Sequence, residues 1–126
     1  MAAELPAHYM APELMPLDAT GRPRSELATY DERCDTFSVG VLLWAIATRC
    51  DAADSYGLDY NKPLRSQLYE KVTSGVRPRF PSSCGTPLAW QELAARCWAP
   101  TPRERPPMEE VKRAMEAVGT AGALGM

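Results

Sequence analysis

Four cysteines (Cys34, Cys50, Cys84 and Cys97) and one histidine, His8, are the side chains in this 126-residue chain best suited to hold a metal or act as nucleophiles. No two cysteines form a C-x-x-C pair, and His8 stands far from all four. Structural zinc takes four clustered ligands, so this spacing argues against a metal site. Four reduced thiols, two of them buried, are the plainer expectation. The net charge of -2 offers no field for nucleic acid or an acidic membrane surface. Neither class of partner is expected.

The positioning elements read as helices. Hydrophobic residues make up 45% of the chain and charged ones 24%, as in an ordinary globular domain. Many of the 12 prolines fall between apolar stretches and punctuate short helices. Residues 1–13 hold Pro6 and Pro12 and should be extended or irregular. Residues 20–25 form a Gly- and Pro-containing loop. A first helix is expected over 36–48, with Asp35 as its cap. Phe37, Val41, Leu42, Trp44 and Ile46 cover most of its circumference, which calls for burial on most sides. Gly40 costs it about 1 kcal/mol against alanine, so close packing is expected there.

A polar loop over 49–62 leads to a second helix opening at Pro63, with Leu64, Leu68 and Val72 on one stripe and Gly75 as its C-cap. Residues 76–81 are extended by their prolines. A third helix begins at Thr86-Pro87, with Thr86 as hydroxyl cap, carries Leu88, Leu93, Ala94, Cys97 and Trp98, and stops before Pro100. A fourth starts near Pro107, with Met108, Val111, Met115 and Val118 on one face. The Gly-rich end, 119–126, reads as a flexible tail. The fold class is all-α, with four to five helices around a central buried one. Residues 39–47 form the longest apolar stretch, short of the ~18–20 needed to span a bilayer. Met1 to Pro6 carries no basic region followed by an apolar run, so no signal peptide and a cytoplasmic setting are expected.

Three segments, in order, resemble the protein kinase family. Tyr9-Met10-Ala11-Pro12-Glu13 resembles the A-P-E motif that closes the activation segment. The stretch from Asp35 through Gly40 to Trp44 resembles the buried central helix of the large lobe. The stretch from Cys97-Trp98 to Arg105-Pro106 resembles the family's closing C-W-x-x-x-P-x-x-R-P segment. The resemblance covers 6–118, a partial kinase domain, and leaves 1–5 as an unmatched start. His8-Tyr9 ahead of Met-Ala-Pro-Glu, together with Cys97-Trp98, is similar to tyrosine-kinase-like enzymes acting on Ser and Thr; true tyrosine kinases are the alternative.

The resemblance implies that Glu13 pairs with Arg105, a structural tie between the two ends of the match. A planar guanidinium suits a carboxylate in two-pronged fashion. It implies that Asp35, which in kinases anchors the catalytic loop, keeps only its capping work or binds water. Trp98 is expected near Pro100 and the Arg105 stem, its N–H on a carbonyl. His8 and Tyr9 would line the loop that receives the substrate residue after the phospho-acceptor; a tyrosine stacked on a helix and a solvated histidine is the plain alternative. Helix 64–74 could dock a protein substrate or regulator, although its stripe must first serve the core.

The phosphoryl-transfer machinery of the family is missing from the sequence. It contains no G-x-G-x-x-G loop, no V-A-I-K, no H-R-D and no D-F-G. No residue is therefore assigned a catalytic role, and ATP and magnesium are expected only for a full-length kinase. Three departures stand out. Glu4 and Leu5 occupy the place of a Gly-Thr pair, Pro107 replaces a capping serine, and the span from Glu13 to Asp35 is enlarged around 18–26. The expected reading is a kinase fragment, inactive alone. A non-catalytic interaction module or pseudokinase remnant is the main alternative and an unrelated helical domain the remote one. A partial lobe would also leave part of the central helix bare and prone to self-association.

Overall fold

The computed structural model describes residues 7–24, 31–50 and 56–124, with side chains as far as Val118. The expected start at 1–5, and parts of the loops over 18–26 and 49–62, lie outside the described residues. Among the described residues four α-helices carry the fold: α1 (Glu32–Thr48), α2 (Leu64–Thr73), α3 (Leu88–Cys97) and α4 (Met108–Leu124). Short 3-10 turns at Ala7–Tyr9, Pro12–Leu14, Ser82–Cys84 and Pro102–Glu104 link them. Among the described residues the only β pairing is an isolated bridge between Leu17 and Pro23. This is the expected all-α architecture.

The central helix is buried along two stripes. Cys34, Phe37, Val41, Trp44 and Thr48 form one, at three- and four-residue spacing, and Thr36, Gly40 and Leu43 form the other. Its remaining face is open: Leu42 is 47% exposed and Ile46 58%. α1 packs mainly on α3, and α3 in turn on α4. The approach at Gly40 is close. A Cβ placed there would lie 2.9 Å from Cys97 Cβ, 3.0 Å from the Ala94 carbonyl oxygen and 3.2 Å from the Trp98 nitrogen. The helix tolerates a weak helix former because only hydrogen fits. Indole N–H groups pin the surroundings: Trp44 donates to the Arg79 carbonyl (2.7 Å) and Trp90 to that of Leu43 (2.9 Å).

The helix starts differ from expectation in one consistent way. α1 begins four residues early, so its cap is Asp31, whose carboxylate accepts from the Arg33 N–H at 2.9 Å, and not Asp35. Asp35 lies exposed within the first turn, where a negative charge still favours the helix N-terminus. Pro63 and Pro87 precede their helices rather than opening them. Each is the N-cap residue, with an extended ψ of 119° and 141° respectively. The Pro107 carbonyl likewise accepts from Glu110 and Val111. Thr86 is consequently too far back to cap α3, and its hydroxyl is buried with no partner among the described residues. A fixed φ suits the first turn, but nothing forces ψ to follow.

Helix ends differ less. α2 closes at Ser74, with Gly75 one step beyond at φ 103°. The Gly75 N–H reaches the Val72 carbonyl and the Val76 N–H that of Lys71, the paired bonds of a Schellman ending. α4 does not stop at Val118; its backbone stays helical to Leu124.

The span between Glu13 and α1 includes a tight turn. Asp18 Oδ1 accepts from the Thr20 N–H (2.9 Å), the Thr20 hydroxyl (2.6 Å) and the Arg22 N–H (2.9 Å). Asp18 and Arg22, and Pro16 and Arg24, are joined by backbone hydrogen bonds of 2.8 Å.

Candidate functional site

A charged cluster lies inside this fold, where two of its turns meet α1. The 3-10 turn at Pro12–Leu14 follows extended Ala11 and directs Glu13 inward. The turn at Pro102–Glu104 ends in extended Arg105, whose side chain runs back into the core. Arg105 is 1% exposed. Its Nη1 donates to Glu13 Oε2 at 2.7 Å and its Nη2 to Oε1 at 2.8 Å, a bidentate pair across 92 residues. Nε donates to the Ala99 carbonyl at 2.8 Å, and Nη1 also reaches the Arg33 carbonyl at 3.0 Å. Arg33 returns the tie through Nη1 to the Arg105 carbonyl. The structure thus brings the expected partners Glu13 and Arg105 together and fastens both to the start of α1.

Three further residues complete the cluster, of which only Phe37 was expected to be buried. The Cys34 thiol donates to Glu13 Oε2 at 3.3 Å. Phe37 lies under two guanidinium groups, with Arg77 Cζ 4.9 Å and Arg105 Cζ 5.1 Å from its ring centre. Arg77 donates Nε to the Trp98 carbonyl and Nη1 to the carbonyls of Val72 and Val76, each at 2.9 Å. It joins the end of α2 to the end of α3. Its Nη2 and the Tyr56 hydroxyl are buried without a partner among the described residues. The pairing Arg77-Pro78, between apolar Val76 and Phe80, was the one hint that this arginine is an inward one.

The electrostatics are those of a brace. Burial pushes the Glu13 carboxyl up, but the Arg105 hydrogen bonds and charge, a backbone N–H and the Cys34 thiol together hold it below its ordinary 4.5. Burial first, and then the Glu13 carboxylate, raise the Cys34 thiol to about 11; burial raises Cys97 likewise to about 11. Both thiols therefore stay protonated at neutral pH and are poor nucleophiles. Burial raises Tyr56 to about 12 and draws Arg77 below the ordinary arginine value. Every cysteine is a free thiol: Cys34 and Cys97 are buried, Cys50 and Cys84 exposed. The carboxylate is occupied by Arg105 and Cys34, and the cluster ties the two ends of the match to α1.

The remaining sequence candidates lie around this brace. Ala11 and Pro12 are buried beside Glu13. Trp44 is buried further along α1. Trp98 sits with its ring 6.1 Å from that of Phe80. His8 and Tyr9 form the turn ahead of Met10. The Tyr9 carbonyl accepts from the Ser38 hydroxyl at 2.7 Å, fixing the turn to α1, and the Tyr9 side chain packs partly against the core. His8 instead lines an open cleft of about 310 Å³ with Ala7, Leu64, Arg65 and Leu68, between this turn and α2. No helix among the described residues is long and apolar enough to cross a membrane.

A helical lobe whose first and last segments are clasped by a buried carboxylate–guanidinium pair beside a central helix defines a class, the large lobe of protein kinases. Residues 1–115 match the family of protein tyrosine and serine/threonine kinases, and the chain belongs to that family. The match takes in 1–5 as well, where the motifs alone place its start at Pro6. Mitogen-activated protein kinase kinase kinase 7 of Homo sapiens is 32% identical over 109 residues, covering 86% of this chain and 15% of that protein. Megakaryocyte-associated tyrosine-protein kinase of Rattus norvegicus is 31% identical over 129 residues, covering 98% of this chain and 24% of that protein. A probable LIM domain-containing serine/threonine-protein kinase of Dictyostelium discoideum is 29% identical over 103 residues, or 82% of this chain and 13% of that protein. The chain spans between about one-eighth and one-quarter of the length of these relatives.

Proposed function

We propose that this chain is the C-terminal, substrate-facing part of the large lobe of a tyrosine-kinase-like serine/threonine kinase, and that by itself it neither binds ATP nor transfers a phosphoryl group. The supporting observation is the bidentate Glu13–Arg105 pair, which places the A-P-E segment against the closing segment. The second support is chemical. Phosphoryl transfer needs a phosphate-covering loop, a lysine–glutamate pair, a catalytic aspartate and metal-binding Asp and Asn side chains, and the sequence carries none of those motifs. ATP and magnesium would be held by parts of a whole kinase that these 126 residues do not supply. The serine/threonine assignment leans on His8-Tyr9 and on relatives named as such.

In this role the chain's residues position rather than react. The Glu13–Arg105 tie holds the loop before it, and Ser38 fixes the Tyr9 backbone, so the turn at 7–9 is presented at a set distance from α2. A protein substrate or regulator is the expected partner. A nucleic acid or membrane partner is not, and the cytoplasm, where thiols stay reduced, is the proposed setting. Titrating the purified chain with ATP and magnesium while following its thermal unfolding tests the proposal. No shift is expected; a saturable rise in Tm would overturn it.

A second reading, a non-catalytic interaction module or pseudokinase remnant, draws on α2. Leu68 and Val72 serve the core, while Leu64 remains 39% exposed on the same helix. Capture of one defined protein by this chain, abolished by Leu64→Glu and unaffected by nucleotide, would favour it.

A further inference from the structure

The cleft between the Ala7–Tyr9 turn and α2 has a floor and a rim of different chemistry. Leu68 is buried at its base, and Ala7 and Leu64 supply apolar walls. His8 and Arg65 supply the polar rim. Arg65 is exposed and has no ion-pair partner among the described residues. Lys62 and Asp59, just ahead of α2, pair with each other at 3.9 Å. Among the described residues no acidic side chain lines the cleft. A cavity with apolar walls and an unpaired guanidinium at its lip suits a side chain with methylenes below and a carboxylate at its tip.

We infer that Arg65, assisted by the His8 imidazole, selects a peptide segment carrying glutamate at the position that enters this cleft. The glutamate methylenes lie along Leu64 and Leu68, and the carboxylate accepts from the Arg65 guanidinium and from a ring N–H of His8. Arg65 is thus a specificity determinant. The inference rests on the substrate-facing reading of the chain and gives that substrate a chemical class, an acidic peptide.

The test is a titration of the chain, uniformly labelled with 15N, with the peptide acetyl-Ala-Glu-Leu-Ala-amide and with its glutamine twin, followed by amide NMR shifts. The glutamate peptide should move the amides of Ala7, His8, Leu64, Arg65 and Leu68 and bind about tenfold more tightly than the glutamine one, as expected for one charge-assisted hydrogen-bonded contact. Arg65→Glu should abolish that preference and transfer it to the lysine counterpart of the peptide. Arg65 is exposed, so the Arg65→Glu variant and the parent should share the rest of the amide spectrum. Equal binding of the glutamate and glutamine peptides, or a preference that survives Arg65→Glu, overturns the inference. Shifts confined to residues outside the cleft overturn it as well. The outcome is independent of nucleotide: a saturable ATP shift would sink the proposed function and leave the peptide preference standing, and the reverse result would do the opposite.

Discussion

At the scale of single residues, the brace around Arg105 makes its own prediction about acid. The folded Glu13 carboxyl lies below its unfolded value of 4.5. A depressed carboxylate contributes stability that is fully present above the unfolded value and is lost as pH falls through the folded one. Urea unfolding between pH 7 and pH 3 should therefore show stability declining below about 4.5. Glu13→Gln should be less stable at pH 7 and should flatten that decline. An unchanged acid limb in Glu13→Gln would mean that other carboxylates set the slope. The pair was legible in the sequence because motif order put its two members at opposite ends of one family pattern. Arg77 and Cys34 were not. Their burial depends on Phe37 and Glu13, which lie 40 and 21 positions away, and no periodicity relates such residues.

Among the elements, Gly40 sets two effects against each other. In an isolated helix Gly40→Ala should gain about 1 kcal/mol. Here the added Cβ meets Cys97 Cβ and the α3 backbone at 2.9–3.2 Å, and backbone cannot rotate away. Overpacking of this kind costs roughly 1–3 kcal/mol, so a net loss is expected in thermal unfolding, and a gain would show that α1 and α3 can part. The other end of α1 offers the opposite case. Arg49 closes the helix at φ 58°, a left-handed conformation that favours glycine. Arg49→Gly should stabilise the chain by about 1 kcal/mol, read as a raised urea midpoint. Helix existence and type were readable from periodicity and proline placement. The starts were not: Asp31 and Asp35 are equally good caps by type, and only the packing of Cys34 and Thr36 against the core draws the helix back to Glu32. The same holds at Pro63 and Pro87, whose ψ depends on the chain leading in rather than on the proline ring.

The whole molecule has an incompletely covered centre. α1 was expected to be buried on most sides, and two stripes of it are, but Leu42 and Ile46 face outward four residues apart. Ile46 also borders a shallow apolar groove with Pro87 and Trp90. Exposed apolar surface of this kind promotes association. The chain should bind a hydrophobic dye and show concentration-dependent size in light scattering, and Leu42→Glu with Ile46→Lys should reduce both; a dye-silent monomer would show that the face is covered some other way. The architecture itself was legible, since three ordered motifs fix which helix is central. Which face of that helix lies open could not be read from a helix apolar nearly all round, because exposure there depends on which neighbours are present.

All three scales meet in the tie between the first motif and the last. A double-mutant cycle on Glu13→Leu and Arg105→Met, with stability measured by urea unfolding at pH 7, tests it most directly. Each single change leaves one charge buried and should cost about 3–5 kcal/mol, while the double change should cost much less than their sum, with a coupling near 3 kcal/mol. Additive single losses, with coupling below about 0.5 kcal/mol, would mean that the two ends of the chain are held by something other than this pair.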